Sequence, residues 1–168
     1  MPDEQGVVVR RAGVPDAGAI ASFVSDASQG RTPIDEVEVI ERFSNVGFLL
    51  AEQGGTLAGI MCWQAENLVV GVTDLLIWPA GVREQVGAAL FSGMERAAAE
   101  LECEVALLFL PQPAPPVLVD FCKGFGYDVE SVLELPRPWR EAAYQAEVGD
   151  NEELLLKRLR EAPVSRPL

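Results

Sequence analysis

The hydrophobic pattern of the first third of the chain has the period of α-helices. Apolar residues recur at every third or fourth position in 16–27 and in 32–43, which predicts two amphipathic helices. We expect Asp16 to cap the first helix and Thr32 to cap the second, with Pro33 at the first helical position. The expected buried stripe of the second helix comprises Ile34, Val37, Ile40 and Phe43.

Continuous apolar runs before and after these helices predict β-strands. Residues 7–10 form a first run, and 47–66 contain two more that are joined by Gly54-Gly55, which favours a tight hairpin. Residues 68–78 are nearly all apolar, as is typical of a central strand that is covered on both faces. Gly71 inside this strand indicates a bulge or a close backbone approach.

The second half of the chain alternates between the two patterns. A long helix is predicted at 83–101, a fifth strand at 103–110 and a sixth strand at 129–135. Between these strands a short helix is predicted from 116 to near Gly124 or Gly126. Segment 152–161 fits either a helix or a seventh strand. This order predicts an α/β (α+β) fold with a mixed, mostly antiparallel sheet of about six to seven strands and about four helices.

Length and composition predict a single soluble domain over residues 1–168. Hydrophobic residues make up 49% of the chain and charged residues 23%, which is ordinary for a globular protein. We expect no membrane span, since no apolar run approaches about 20 residues, and no secretory signal in "MPDEQG". Three cysteines, an odd number, do not indicate a disulfide framework, so we expect a cytoplasmic protein.

The charge balance limits the possible partners. The net charge is −13, from 13 basic and 26 acidic residues, which argues against nucleic-acid binding. It favours a cationic substrate or partner, or it serves solubility alone. Histidine, the commonest metal ligand and general base, is absent, and Cys62, Cys103 and Cys122 lack the close spacing of zinc ligands. We therefore expect no metal site.

The order of elements resembles that of the GNAT superfamily of N-acetyltransferases over nearly the whole chain. In that family a loop of the form Q/R-x-x-G-x-G/A follows the strand that corresponds to 68–78. The loop leads into a helix whose N-terminal amides hold the pyrophosphate of acetyl-CoA. "WPAGVREQVGAAL" occupies this place. The resemblance assigns the motif positions to Val82, Gln85 and Gly87, of which only Gly87 keeps the family residue.

The resemblance implies a cofactor site at the start of this helix. Backbone amides near Trp78 would polarise the thioester carbonyl, and those after Gln85 would hold the pyrophosphate. Arg83 could supply the missing positive charge, whereas Glu84 would repel a pyrophosphate and instead complements the helix dipole. The implied contact residues are Ile77, Trp78, Val82, Arg83, Gln85, Val86, Gly87 and Ala88.

Three residues are candidates for proton transfer. Asp74 is the only ionisable residue in its strand and is a candidate general base, or else a strand residue that bonds to backbone. Glu66 is a second candidate base or a solvated turn residue. "FCKGFGY" is similar to the family's F-Y-x-x-x-G-F segment, in which the tyrosine acts as general acid. The resemblance places Cys122 at the position of that tyrosine; the alternative is that Cys122 is a small side chain buried in the core. Trp63 and Trp78 are candidates for an acceptor pocket or for core packing.

Two functions follow from these observations. The first is a GNAT-type N-acyltransferase that transfers an acetyl group from acetyl-CoA to a small-molecule or peptide amine of unknown identity. The acidic composition favours a cationic acceptor such as a polyamine, an aminoglycoside-like amine or lysine. The alternative is a GNAT-fold protein without catalysis that serves as a binding or regulatory module, with a homodimer as the expected assembly.

Overall fold

A computed structural model describes residues 6–28, 30, 34–43, 47–66, 68–111, 116–145 and 152–159. Within these ranges the chain forms seven β-strands and five α-helices. The strands are β1 (Val7–Arg11), β2 (Gly47–Gln53), β3 (Thr56–Glu66), β4 (Val69–Ile77), β5 (Val105–Pro111), β6 (Asp128–Glu130) and β7 (Glu152–Arg158). The helices are α1 (Ala17–Ala27), α2 (Glu36–Phe43), α3 (Arg83–Glu100), α4 (Pro116–Lys123) and α5 (Arg137–Gln145).

The seven strands form one mixed sheet in the order β1-β2-β3-β4-β5-β7-β6. The pairs β1–β2, β2–β3, β5–β7 and β6–β7 are antiparallel, whereas β4 and β5 are parallel. The α/β class and the mostly antiparallel sheet are therefore confirmed, and segment 152–161 contributes strand β7. The sixth strand is shorter than predicted, because a 3-10 turn at Val132–Glu134 follows β6.

The chain divides into two compact units, and each has its own apolar core. The first unit comprises Met1–Trp63 and Asp74–Met94, and the second comprises Gln64–Thr73 and Glu95–Leu168. The prediction of one domain over 1–168 stays a prediction. One cluster of buried residues in the first unit comprises Ala17, Ile20, Phe23, Val39, Phe48, Leu50, Ile60 and Cys62. One in the second unit comprises Val69, Val105, Leu107, Phe109, Leu135, Trp139, Ala143 and Leu154.

The β2–β3 hairpin of the first unit confirms the turn predicted at Gly54-Gly55. Both glycines have positive φ, 61° and 81°, as a two-residue hairpin turn of type I′ requires. The register shifts once, between Ala51 and Glu52, where the strand has an irregularity. Beyond that point Ala51 pairs with Gly59 and Phe48 pairs with Cys62. The turn and the shift together fix which residues of β3 face each side of the sheet.

Helix α2 begins later than the sequence predicts. Asp35 and Glu38 form a reciprocal cap: the Glu38 N–H donates to Asp35 Oδ1 at 2.9 Å, and the Asp35 N–H donates to Glu38 Oε1 at 3.2 Å. The helix therefore starts at Glu36. The predicted cap Thr32 and first residue Pro33 lie outside the described residues.

The buried face of α2 also differs from the predicted stripe. Val37 is 63% exposed and Ile40 is 39% exposed, whereas Val39 is completely buried in the core of the first unit. Ile34 precedes the helix and is partly buried. The assignment of Val37 and Ile40 to the buried face was wrong, because Val39 lies on a different side of the helix from these two residues and the pattern alone does not tell which side meets the core. The side chain of Phe43 lies outside the described residues.

An ion-pair cluster links β1 to the start of α1. Arg10 Nη2 lies 2.8 Å from Asp16 Oδ1, and its Nε lies 3.3 Å from Glu52 Oε1. Asp16 stands directly before α1, as predicted, but its side chain makes no cap hydrogen bond. Its carboxylate instead accepts a hydrogen bond from Arg10 Nη2 and one from the Gly13 N–H, each at 2.8 Å. The Arg10 hydrogen bond and then the Gly13 N–H lower the pKa of Asp16 to about 2.

Helix α5 of the second unit was not predicted. Its residues Trp139 and Ala143 are buried in the core of that unit. The spacing of four residues places both side chains on one helical face. No helix of the described residues is long and apolar enough to cross a bilayer.

Candidate active site

A 3-10 turn at Ala80–Val82 joins β4 directly to α3. The peptide bond between Trp78 and Pro79 is cis. The N–H of Val82 donates to the Pro79 carbonyl at 3.2 Å, and the N–H of Arg83 donates to the carbonyl of Ala80. Two of the amides at the entry of the helix are thus satisfied by the turn itself.

The next amides of α3 are the ones that can meet an anion. An α-helix leaves its first N–H groups without an intrahelical acceptor, and in a helix that begins at Arg83 these include Glu84 and Gln85. From the second turn on, each N–H donates to the carbonyl four residues earlier, so the amides of Gly87 and Ala88 are used within the helix. The resemblance assigns phosphate contacts to Gly87 and Ala88 as well, and that assignment stays a prediction.

The side chains of this first turn have mixed character. Arg83 is partly buried, and Glu84, Gln85 and Ala88 are exposed. Gln53 Nε2 donates to Gln85 Oε1 at 2.8 Å, which ties the Gln85 side chain to β2. The Arg83 guanidinium favours an anion here and the Glu84 carboxylate opposes one, so the turn combines an attractive and a repulsive charge.

A glycine that the sequence did not single out sets the position of α3. A Cβ on Gly59 would lie 2.6 Å from Val86 Cγ1 and 3.0 Å from Leu90 Cδ1. Val86 and Leu90 are completely buried. The start of α3 thus packs on the bare backbone of β3, and the side chain of Val86 serves packing, so any contact it makes with a cofactor comes from its backbone.

The backbone near Trp78 has fewer available hydrogen-bond donors for a thioester carbonyl than the resemblance implies. The Trp78 N–H donates to the Ala58 carbonyl at 3.0 Å, and Pro79 has no N–H. A thioester carbonyl would have to displace the Ala58 carbonyl to use the Trp78 amide. The roles of Ile77 and Trp78 in carbonyl polarisation stay predictions.

Asp74 borders an apolar pocket inside the first unit. The pocket has a volume of about 230 Å³ and lies among α1, α2 and strands β2 to β4. Asp74 is partly buried, and it is the only charged side chain among the described residues that line the pocket. The lining residues are Ile20, Val24, Ser28, Ile34, Val39, Phe48, Ile60, Cys62, Asp74, Leu75 and Leu76.

Glu66, the second candidate base, lies elsewhere in the fold. It is the last residue of β3, so it stands on a strand rather than in a turn, and it is exposed. It borders a cavity of about 20 Å³ in the second unit, enough for one water molecule. Gly71 lines the same cavity, and a Cβ there would lie 3.4 Å from the Phe109 ring, about an ordinary van der Waals distance. The bulge or close backbone approach expected at this glycine stays a prediction.

Cys122 is completely buried in α4. Burial raises the pKa of its thiol to about 11. Tyr127 is buried beyond the end of the same helix, and its hydroxyl donates to Glu95 Oε2 at 3.2 Å. Burial, and then the charge of Glu95, raise the pKa of Tyr127 above its usual value. A thiol without exposed surface fits the alternative of a packed side chain, and proton donation by Cys122 stays a prediction.

The two tryptophans of this region have different surroundings. Trp78 is 39% exposed, whereas Trp63 is only 6% exposed. The Trp63 Nε1–H has no hydrogen-bond partner among the described residues. A buried donor without a partner costs about 1–3 kcal/mol, so this group is a candidate contact for a water or a ligand. Within the described ranges no three His, Cys, Asp or Glu residues lie together as metal ligands would.

Comparison with known proteins gives a clear result for the fold alone. No family model and no curated protein sequence matches the chain. Among solved structures, it is similar to the ribosomal-protein-S18-alanine N-acetyltransferase of Escherichia coli, with a TM-score of 0.71 and 11% identity over 96% of this chain and 99% of that one.

Two further solved structures carry the same fold. A GNAT-family acetyltransferase of Staphylococcus aureus Mu50 gives a TM-score of 0.70 and 11% identity over 92% of this chain and 99% of its own. A GNAT-superfamily phosphinothricin acetyltransferase of Sinorhizobium meliloti, solved in complex with acetyl-CoA, gives 0.66 and 14% over 97% and 94%. The chain has the fold of the GNAT acetyltransferases.

Proposed function

We propose that the protein is a GNAT-type N-acyltransferase that transfers an acetyl group from acetyl-CoA to an amine. The observation that carries this proposal is the start of α3, which follows β4 after a single 3-10 turn within a GNAT fold. The cytoplasmic location and the homodimer expected from the sequence belong to the same proposal.

The backbone amides and one side chain in the first turn of α3 are suited to bind a pyrophosphate. The amides of Glu84 and Gln85, at the positive end of the helix, would donate to the phosphate oxygens, and the Arg83 guanidinium would add a positive charge. The Gln53 hydrogen bond keeps the Gln85 side chain on β2. Acetyl-CoA supplies the activated acetyl group, and the chain's own residues hold it and prepare the acceptor.

The acceptor must lose a proton before it can attack a carbonyl carbon, because an ammonium ion has no lone pair. Asp74 is the proposed general base, since it is the charged residue on the wall of the apolar pocket. Glu66 remains the alternative base, and Cys122 remains the proposed donor to the leaving thiolate. Replacing Asp74 by Asn should lower kcat far more than it changes the Kd of acetyl-CoA.

A second candidate function is a GNAT-fold binding or regulatory module without catalysis. The specific observation in its favour is Glu84, a carboxylate in the first turn of the helix that would receive the pyrophosphate. An acidic residue at this place stabilises a helix with no ligand by about 0.3–1 kcal/mol through the helix dipole.

Calorimetric titration with acetyl-CoA tests the proposed function. Ala88→Glu adds a negative charge to the exposed face near the start of α3, and Ala99→Glu makes the same change on the exposed face near its end. We expect the first variant to bind acetyl-CoA about tenfold more weakly or worse, and the second to bind as the wild type does. Arg83→Gln and its control Arg96→Gln form a second matched pair.

The outcomes separate the two candidates. Binding that is lost in Ala88→Glu and retained in Ala99→Glu, followed by release of free CoA in the presence of an amine, supports the enzyme. Binding without CoA release across a broad panel of amines supports the module. Absence of binding and of any thermal shift at millimolar acetyl-CoA would overturn the proposed function.

A further inference from the structure

We propose that the apolar pocket bordered by Asp74 binds a primary amine that carries an aryl or branched alkyl group, with the ammonium at Asp74 and the apolar group inside. As an account of the acceptor substrate, this inference rests on the proposed function. As an account of a binding site, it rests on the pocket alone and can be tested without acetyl-CoA.

The pocket has an apolar floor and a more open rim. The floor residues are almost completely buried, between 0% and 7% exposed, and all are apolar or weakly polar. They are Ile20, Val39, Phe48, Ile60 and Cys62. The remaining lining residues, among them Val24, Ser28 and Asp74, are partly exposed. A ligand therefore meets carbon atoms at its inner end and polar groups at its outer end.

The charge of the rim is negative. Asp74 is the single carboxylate on the described wall, and no lysine or arginine stands among the lining residues. The hydroxyl of Ser28, another lining residue, donates to the Ser25 carbonyl at 3.3 Å, and its oxygen can also accept. A carboxylate on the wall of an apolar pocket recognises a cationic donor with several N–H groups, which a primary ammonium provides.

The size of the pocket limits the apolar group. Its volume of about 230 Å³ is about one and a half times the ~150 Å³ of an apolar protein cavity that holds benzene. A phenyl ring on a short carbon chain fills such a space. An amine with a single methyl or ethyl group would leave most of the floor uncovered and would gain little from burial.

The same floor argues against the acceptors that composition alone favours. A polyamine or an aminoglycoside-like amine carries a second charge or several hydroxyl groups along its length. Burying these groups against Ile60, Phe48 and Val39 would cost free energy, because the described lining offers them no partner at the floor. The acidic surface can attract cations of every kind, but the pocket selects those with one charged end and one apolar end.

Direct titration with three small probes tests the inference. The probe with both required ends is 2-phenylethylamine; 2-phenylethanol lacks the charge, and 1,4-diaminobutane lacks the apolar group. We expect 2-phenylethylamine to bind to the wild-type chain without acetyl-CoA, and the other two to bind about tenfold more weakly or worse. Equal affinity for all three probes, or no heat from 2-phenylethylamine at millimolar concentration, would overturn the inference.

Two matched pairs of variants locate the binding. Asp74→Asn removes the rim charge, and Asp120→Asn removes an exposed carboxylate from α4. Val24→Trp fills the pocket from its partly exposed wall, and Val37→Trp adds the same side chain to the exposed face of α2. We expect at least a tenfold loss of 2-phenylethylamine affinity in the first member of each pair and wild-type affinity in the second.

The experiment distinguishes this inference from the proposed function. If 2-phenylethylamine binds as expected and acetyl-CoA does not, the pocket is an amine site in a protein that is not an acetyltransferase. If acetyl-CoA binds and another amine is acetylated while 2-phenylethylamine does not bind, the proposed function stands and the assigned acceptor class is wrong. Binding that survives Val24→Trp in a folded variant places the probe outside the pocket and refutes the inference.

Discussion

Gly59→Ala is the substitution that tests most directly how α3 is held. The added Cβ would lie 2.6 Å from Val86 Cγ1, closer than real Cβ atoms approach other atoms, and 3.0 Å from Leu90 Cδ1, tighter than most real Cβ contacts. Both neighbours are completely buried, so neither methyl group can move into solvent. The carbonyl oxygen of Leu76, at 3.4 Å from the new Cβ, closes the third side.

The expected effect is the difference of two terms. Overfilling a packed core by one methyl group costs about 1–3 kcal/mol. Replacing glycine by alanine also lowers the entropy of the unfolded chain, which returns about 0.4–1 kcal/mol. We therefore expect Gly59→Ala to lower the free energy of unfolding by about 1–2 kcal/mol, which for a chain of this length lowers Tm by about 2–8 °C.

Urea denaturation of Gly59→Ala beside Gly81→Ala measures this effect. A Cβ on Gly81 would meet nothing within 4 Å, so the control should be neutral or slightly stabilised. Adding Val86→Ala to the Gly59→Ala chain should cost less than Val86→Ala costs in the wild type, because the new methyl group then fills part of the cavity. A Gly59→Ala variant as stable as the control, with an unchanged m value, would refute the tight contact between α3 and β3.

Three further predictions concern polar groups. The folded-state pKa of Asp16 is lowered to about 2, so its pairing with Arg10 stabilises the protein above about pH 4, and this stabilisation is lost as pH falls through 2. Asp16→Asn should lower the unfolding free energy by about 1 kcal/mol at pH 6 and by clearly less at pH 2, measured by denaturation at the two pH values. Trp63→Phe should leave urea stability nearly unchanged, because the gain from removing a buried donor without a partner offsets the cost of the cavity that the smaller ring leaves. A loss of acetyl-CoA affinity in that variant would assign the donor to the ligand. Tyr127→Phe should lose about 0.5–1.5 kcal/mol in the same assay, with the hydroxyl bond to Glu95; an unchanged stability would contradict that bond.

The strands were easier to predict than the faces of the helices. The paired glycines at Gly54-Gly55 fixed the hairpin, since their conformation is available to few other residues. In α2 the apolar residue Val39 lies on a different side of the helix from Val37 and Ile40, and packing on the core of the first unit buries Val39. Helix α5 escaped detection because its short amphipathic pattern contains a proline and no Leu, Ile or Val.

The candidate site was predicted only where it is local in sequence. The start of α3 follows from the change of period after β4, and the structure places it one 3-10 turn beyond the strand. The apolar pocket combines α1 and α2 with strands β2 to β4, and no sequence window contains all of these elements. The importance of Gly59 could not be read either, because its neighbours Val86 and Leu90 come from another element.

Strand β3 connects the two halves of the candidate site. Gly59 faces α3, whereas the next residue, Ile60, faces the apolar pocket, because successive strand residues point to opposite sides. A slip of β3 by one residue would bring a side chain against Val86 and turn a glycine toward the pocket, so it would spoil the start of α3 and the pocket floor together. The Gly54-Gly55 turn and the register shift between Ala51 and Glu52 together fix the pairing of β2 with β3 and exclude that slip. A turn that the sequence displays thus contributes to the geometry of a site that the sequence does not display, and the shift supplies the rest.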